Sequence, residues 1–121
     1  MELRTACSPK DVKHYTTERL RDEFLVQGLF TPDEIKLVYS HIDRIIIGAA
    51  TPVNKKLVLT AGEELRAEYF LQRRELGVIN IGGAGKITVD GKVYNVAPRE
   101  GMYIGMGSRD ISFESDDAGN P

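Results

Sequence analysis

The sequence predicts a mainly β fold, a β-sandwich or barrel preceded by one or two short helices. Short segments rich in apolar and β-branched residues recur along the chain, with glycine-containing turns between them. A spacing of roughly ten residues between such segments is typical of sandwiches and barrels. The dipeptide Asp90-Gly91 separates two alternating segments, residues 86–89 and 92–96. It predicts a two-residue hairpin, because both central residues of that turn need a positive φ.

The N-terminal region is predicted to hold the helices. Residues 1–15 have the composition of an extended, polar arm. Thr16 or Thr17 is suited to cap a helix that runs to about Phe24. Residues 31–34, Thr-Pro-Asp-Glu, predict a second helix start with a capping threonine, a proline in the first turn and a nearby glutamate. We therefore divide the chain into residues 1–36, an arm with short helices, and residues 37–121, the β domain.

The β domain is predicted to contain further strands besides the hairpin. They lie at residues 38–42, 44–49, 57–60, 68–73, 77–81, 102–104 and 111–114. The glycine-rich segment 82–85 is predicted to be a sharp turn and not a phosphate-binding loop, since no helix follows it. Met102 and Met106 are predicted to fill the core.

Composition excludes several classes of protein. A chain of 121 residues has room for one domain with a core. The net charge of −2 gives no electrostatic footprint for nucleic acid. No apolar run approaches the ~20 residues of a membrane span, and no secretory signal is visible. Cys7 has no partner cysteine, which favours a reducing compartment. We expect a cytoplasmic protein that binds neither nucleic acid nor membrane.

The spacing of a metal-binding barrel motif is present without its histidines. The positions of Gly62, Glu68, Phe70, Glu75 and Gly82 match the first motif of the cupins, in which histidines occupy the positions of Glu68 and Phe70. Residues 105–110 match the second cupin motif, with Asp110 in place of its histidine. We therefore expect a cupin-like jelly-roll barrel. The only histidines, His14 and His41, are too few for a three-histidine zinc site.

Longer segments resemble one particular family. They are YFLQRRELGVINIGGAGKITVDGKVY at 69–94, VYSHIDRIIIG at 38–48, EFLV at 23–26 and, more loosely, YIGMGSRDISF at 103–113. These runs resemble the N-terminal half of 4-deoxy-L-threo-5-hexosulose-uronate ketol-isomerase, also called 5-keto-4-deoxyuronate isomerase.

The resemblance implies a function for a longer protein. That family is a zinc-dependent, two-cupin hexamer of the bacterial cytoplasm, and it interconverts 5-dehydro-4-deoxy-D-glucuronate and 3-deoxy-D-glycero-2,5-hexodiulosonate during pectin breakdown. Its zinc ligands, three histidines and a glutamate, lie in the second half of its chain. No position here matches them, so the resemblance implies no catalytic and no metal-binding residue in this chain. It implies instead a structural, oligomer-forming domain, inactive alone and followed by a second cupin domain.

Three groups of residues are candidates for chemistry. Arg73 and Arg74 have the side chains that bind a substrate carboxylate, although an ion pair at the surface or a subunit interface is the alternative we favour. Glu68, Glu75 and Asp110 would suit a hard cation or be ordinary polar residues. The last group consists of the polar residues His41, Asp43 and Arg44. For these residues we favour a buried or interfacial hydrogen-bond network over acid–base chemistry.

Two hypotheses follow for the function. The first is the non-metal domain of a ketol-isomerase, which self-associates through its N-terminal segments and strand edges, with Arg44, Arg73 and Arg74 in interfacial ion pairs. The second is a stand-alone, non-catalytic cupin that binds a sugar or an acid.

Overall fold

A computed structural model describes all residues, 1–121. The elements in chain order are β1 (Glu2–Arg4), α1 (Pro9–Val12), α2 (Thr17–Phe24), β2 (Ile35–Ser40), β3 (Ile45–Ala50), β4 (Leu57–Val58), a 3-10 turn (Glu63–Leu65), β5 (Leu76–Ile79), β6 (Gly85–Val89), β7 (Lys92–Val96), β8 (Gly101–Ile104) and β9 (Ile111–Ser115). The predicted mainly β class with two short N-terminal helices is confirmed.

The nine strands form three sheets. Their orders are β1-β2-β3, β4-β9-β6-β7 and β5-β8. Every pairing is antiparallel except that of β1 with β2. The sheets surround one apolar core in the manner of a cupin-like fold, but backbone hydrogen bonds do not join them into a closed barrel.

The predicted hairpin at Asp90-Gly91 is confirmed. Asp90 has a φ of 48° and Gly91 one of 81°, as the turn requires. The Asp90 carboxylate also accepts hydrogen bonds from the amides of Arg109 and Asp110, both at 2.9 Å. These bonds lower the pKa of Asp90, because they favour its ionised form. The turn is thereby attached to the segment that leads into β9.

The N-terminal helix α2 is confirmed, and its predicted cap is Thr16, whose hydroxyl accepts from the Arg19 amide at 3.2 Å. The prediction of an extended arm over residues 1–15 was wrong at α1, which begins at a proline that suits a first helical turn. Arg4 donates from Nη1 to the carbonyl oxygen of Leu25 at 2.8 Å, which satisfies a carbonyl at the end of α2.

The predicted helix start at residues 31–34 was wrong. The chain turns there and enters β2 at Ile35. Thr31 caps no helix, and Asp33 bonds instead to a loop later in the chain. Its Oδ1 accepts from the amides of Val53, at 2.9 Å, and Asn54, at 2.7 Å, in a loop distant in sequence. Tertiary hydrogen bonds, together with the pairing of β2, therefore override the local helix signal.

The predicted strand at residues 68–73 was also wrong. Gln72 Oε1 accepts from the Glu68 amide at 2.9 Å, and the Gln72 amide donates to the Tyr69 carbonyl at 3.2 Å. These bonds close a local turn, which places Phe70 and Leu71 in the core. Of the two methionines predicted to be buried, Met102 packs against the core, whereas the prediction for Met106 was wrong because 67% of it is exposed.

The core joins residues from all over the β region. Leu71 and Ile111 are almost completely buried, and the other buried members of the cluster are Leu59, Leu65, Phe70, Ile87, Val96 and Ile104. None of the helices combines the length and the apolar composition needed to cross a bilayer.

Candidate functional site

The main concave feature is an open cleft of about 1240 Å³ between the β2–β3 face and the strands β5 and β6. Half of the residues that line it are hydrophobic, among them Leu37, Ile46, Val78 and Phe113. Three arginines, Arg44, Arg73 and Arg74, lie at the same cleft. The cleft is therefore an open trough with apolar residues and charged residues of both signs, since Asp43, Glu75 and Glu114 also line it, and it contains the candidate substrate-binding residues.

Arg73 and Arg74 contact neutral groups and no carboxylate of this chain. Arg73 Nη2 donates to the Arg66 carbonyl at 2.9 Å. The Arg74 guanidinium lies 5.6 Å from the centre of the Tyr39 ring and 5.8 Å from that of Phe70, within the range of cation–π attraction. No ion pair of the chain includes either arginine. An ion pair at the surface of this chain was therefore the wrong prediction, whereas an ion pair at a subunit interface and the binding of a substrate carboxylate stay predictions.

The three candidate carboxylates, Glu68, Glu75 and Asp110, share no common partner. Glu75 Oε2 accepts from the Tyr103 hydroxyl at 2.6 Å, and this bond raises the pKa of the Tyr103 phenol. Glu68 lies 3.5 Å from Arg109 Nη2, and Asp110 contacts the Asp90 turn through its backbone. Glu68 and Glu75 therefore have different side-chain partners, and Asp110 takes part through its backbone alone.

The chain's donors do not fit a metal ion. No three His, Cys, Asp or Glu side chains converge in an arrangement that would hold one. His41 meets Tyr39 edge-to-face, with ring centres 5.2 Å apart, and His14 is exposed near α1. Zinc prefers converging nitrogen or sulfur ligands, and the two histidines of this chain do not converge with Cys7 or with each other at one site.

The cluster of His41, Asp43 and Arg44 is not buried within the chain. These residues form the exposed turn between β2 and β3, where Asp43 has a φ of 55° and Arg44 one of 52°. Besides the Tyr39 contact, the Ser40 hydroxyl accepts from the Ile42 amide at 3.2 Å. A buried network was thus the wrong prediction for the chain itself, and the interfacial alternative stays a prediction.

The structure assigns an important role to Asn80, which the sequence analysis did not single out. Its Nδ2 donates to the carbonyls of Gly83, Val96 and Ala97, at 2.7, 3.1 and 3.1 Å. Its Oδ1 accepts from the Gly82 amide at 3.0 Å. The predicted glycine turn is confirmed, and a signal for its anchor was present, since asparagine commonly bonds to the backbone two residues further on.

Comparisons with known proteins agree with the resemblance in the sequence. No protein-family model matches the chain. A protein of Lachnoclostridium phytofermentans is 73% identical over all 121 residues, and one of Halalkalibacterium halodurans is 56% identical over the same length. An Enterococcus faecalis protein is 48% identical. The first two are named 4-deoxy-L-threo-5-hexosulose-uronate ketol-isomerase, and the third carries the same name with the number 2.

This chain is homologous to part of the 4-deoxy-L-threo-5-hexosulose-uronate ketol-isomerases. Identity of 73% over every residue of the chain confirms the predicted family resemblance. The chain spans less than half the length of these relatives, 44% of each. More than half of a ketol-isomerase therefore lies outside the cleft and core described above.

Proposed function

We propose that this chain is the N-terminal, metal-free domain of a 4-deoxy-L-threo-5-hexosulose-uronate ketol-isomerase. The observation that carries the proposal is the match of the whole chain to 44% of a relative with that name. The full-length enzyme interconverts 5-dehydro-4-deoxy-D-glucuronate and 3-deoxy-D-glycero-2,5-hexodiulosonate in the breakdown of pectin. It works in the cytoplasm, and its zinc is bound outside this chain.

The role of this domain is structural. Its core and its hydrogen-bonded turns provide a rigid frame, whereas its donors do not converge on a metal. Exposed apolar side chains on the N-terminal segments, Leu3, Phe24 and Phe30, offer area for contacts between subunits. We include homo-oligomerisation, as a hexamer, in the proposal, because closed symmetric assemblies are the common result of such contacts.

A chimeric enzyme tests the proposal. This chain replaces the matching 44% of the Lachnoclostridium phytofermentans relative, and isomerisation of the uronate is measured with zinc present. We expect the chimera to be active, and this chain alone and the remainder of the relative alone to be inactive. Conversion by this chain alone, or a folded and zinc-loaded chimera without activity, would contradict the proposal.

The arginines of the cleft support a second role, binding the carboxylate of an acid or uronate. This is also the role of the alternative, a stand-alone cupin that binds without catalysis. In the chimera, Arg73→Gln and Arg74→Gln should raise KM roughly ten- to hundredfold, since a hydrogen bond to a charged group contributes about 1.5–3 kcal/mol. The control is Arg21→Gln, because Arg21 is exposed on α2 and makes no ion pair. An unchanged KM would assign both arginines to structure or to subunit contacts.

A further inference from the structure

Two unpaired strand edges line the open cleft. β3 hydrogen-bonds only to β2, and β5 only to β8, so each presents one free edge. Residues of both strands line the same cleft. Free edges expose backbone donors and acceptors that soluble proteins normally cover. The cleft is therefore a gap between two sheets, and backbone N–H and C=O groups on both sides of it have no strand partner.

The ladders show which amides face the gap. Amides point alternately towards and away from the partner strand in an antiparallel pair. Thr51 N donates to Glu34 O at 3.2 Å, in continuation of the β2–β3 register, so the amides of Ile46 and Gly48 point away from β2. Asn80 N donates to Glu100 O at 2.9 Å, and the amides of Gly77 and Ile79 therefore point away from β8.

Several large apolar side chains at the gap are exposed to solvent. Ile79 is 75% exposed, and Ile81 is 69% exposed. Ile45 and Met106 also line the cleft and are exposed. A volume of about 1240 Å³ exceeds the roughly 300–1,000 Å³ of small-molecule sites. The size of the cleft and these exposed apolar side chains fit an extended polypeptide segment.

We propose that a β-strand from the part of the full-length protein that follows Pro121 inserts between the free edges of β3 and β5. The inference rests on the proposed function, which supplies a longer polypeptide. More than half of the relatives' length lies outside this chain. Asn120 and Pro121 line the same cleft, and the Asn120 carbonyl accepts from the Gly83 amide at 2.9 Å, so a following segment starts at the rim of the gap. Strand addition to an exposed edge needs only main-chain pairing and alternating apolar side chains.

Hydrogen exchange in the full-length chimera tests the pairing. We expect the amides of Ile46, Gly48, Gly77 and Ile79 to exchange at least about 100-fold more slowly than that of Val93. The Val93 amide is the control, because it lies on the outer edge of β7 and points away from β6. Exchange at the four amides as fast as at Val93 would overturn the proposal. Isomerase activity is measured on the same sample, so loss of activity reports on the proposed function and free exchange in an active enzyme reports on the strand.

A photo-cross-linker identifies the occupant. A benzophenone amino acid replaces Ile79 in the same full-length protein, and the products are separated by denaturing electrophoresis and sequenced by mass spectrometry. We expect a product of monomer mass with a peptide from beyond Pro121. A product of dimer mass would assign the gap to a second copy and overturn the proposal, as would cross-links confined to residues 1–121.

Discussion

Replacement of Asn80 by alanine tests whether one side chain joins the glycine turn at residues 82–85 to the end of β7. The Asn80 amide holds the carbonyls of Gly83, Val96 and Ala97 and accepts from the Gly82 amide. Its two Nδ2 protons serve three carbonyls, so the set is equivalent to about three hydrogen bonds, each worth roughly 0.5–1.5 kcal/mol. Because the contact with Ala97 is exposed to water, we expect a loss of about 2–3 kcal/mol.

The assay is urea unfolding followed by circular dichroism. The midpoint should fall without a change of slope, since the surface exposed on unfolding stays the same. In a thermal scan, Tm should fall by roughly 6–15 °C for a chain of this size. The matched control is Asn95→Ala, because Asn95 is exposed on β7 and makes no side-chain hydrogen bond; its effect should stay within about 0.5 kcal/mol.

A second variant isolates the donor function. Asn80→Asp keeps an acceptor for the Gly82 amide but turns a carboxylate oxygen towards three carbonyl oxygens. At neutral pH it should be less stable than Asn80→Ala, because it adds repulsion to the lost bonds. If Asn80→Ala unfolds at the same urea concentration as Asn95→Ala, or if Asn80→Asp is the more stable of the two Asn80 variants, the reasoning is refuted.

Three other predictions concern Asp33, zinc and assembly. Hydrogen bonds from Asn54, Val53 and Lys55 lower the pKa of Asp33 to about 2, from 3.8. The contribution of ionised Asp33 to stability is therefore complete above the unfolded pKa and is lost as pH falls through about 2. The difference in unfolding free energy between wild type and Asp33→Asn should be constant near neutral pH and shrink below about pH 4. A difference that grows in acid would contradict this. This chain should bind no stoichiometric zinc, which elemental analysis after mild chelation checks; one retained zinc per chain would refute the ligand argument. Light scattering should show self-association, and a 13.5 kDa particle at high micromolar concentration would count against it.

The sequence predicts the elements whose signals are local and complete. Asp90-Gly91 determines its hairpin because few residue pairs adopt two positive φ values. Thr16 caps α2 because its hydroxyl reaches an amide three residues ahead. In contrast, residues 31–34 carry a valid local helix signal that fails, because Asp33 bonds to amides in a loop twenty residues later. Such partners are visible only once the chain has folded.

In the candidate site, too, some features follow from the sequence and others depend on the folded structure. Residue type alone predicts Arg73 and Arg74 as binding candidates, and the structure places both at one cleft. The carboxylates Glu68 and Glu75 were selected from motif spacing alone, but the turn at residues 68–73 gives them different partners. Motif spacing predicts the arrangement of metal ligands only if the residues of the motif form the strand found in the metal-binding proteins.

The position of β9 has a consequence for biosynthesis. β9 lies between β4 and β6, with Phe113 opposite both Leu57 and Ile87. During translation, β6 and β7 can pair as soon as they emerge, but β4 has no partner until β9 leaves the ribosome. Leu57 and Leu59, which are buried in the final fold, therefore remain exposed to solvent during that interval. A nascent chain stalled before Ile111 should bind holdase chaperones, and release of the chaperone should coincide with the emergence of β9 from the ribosome.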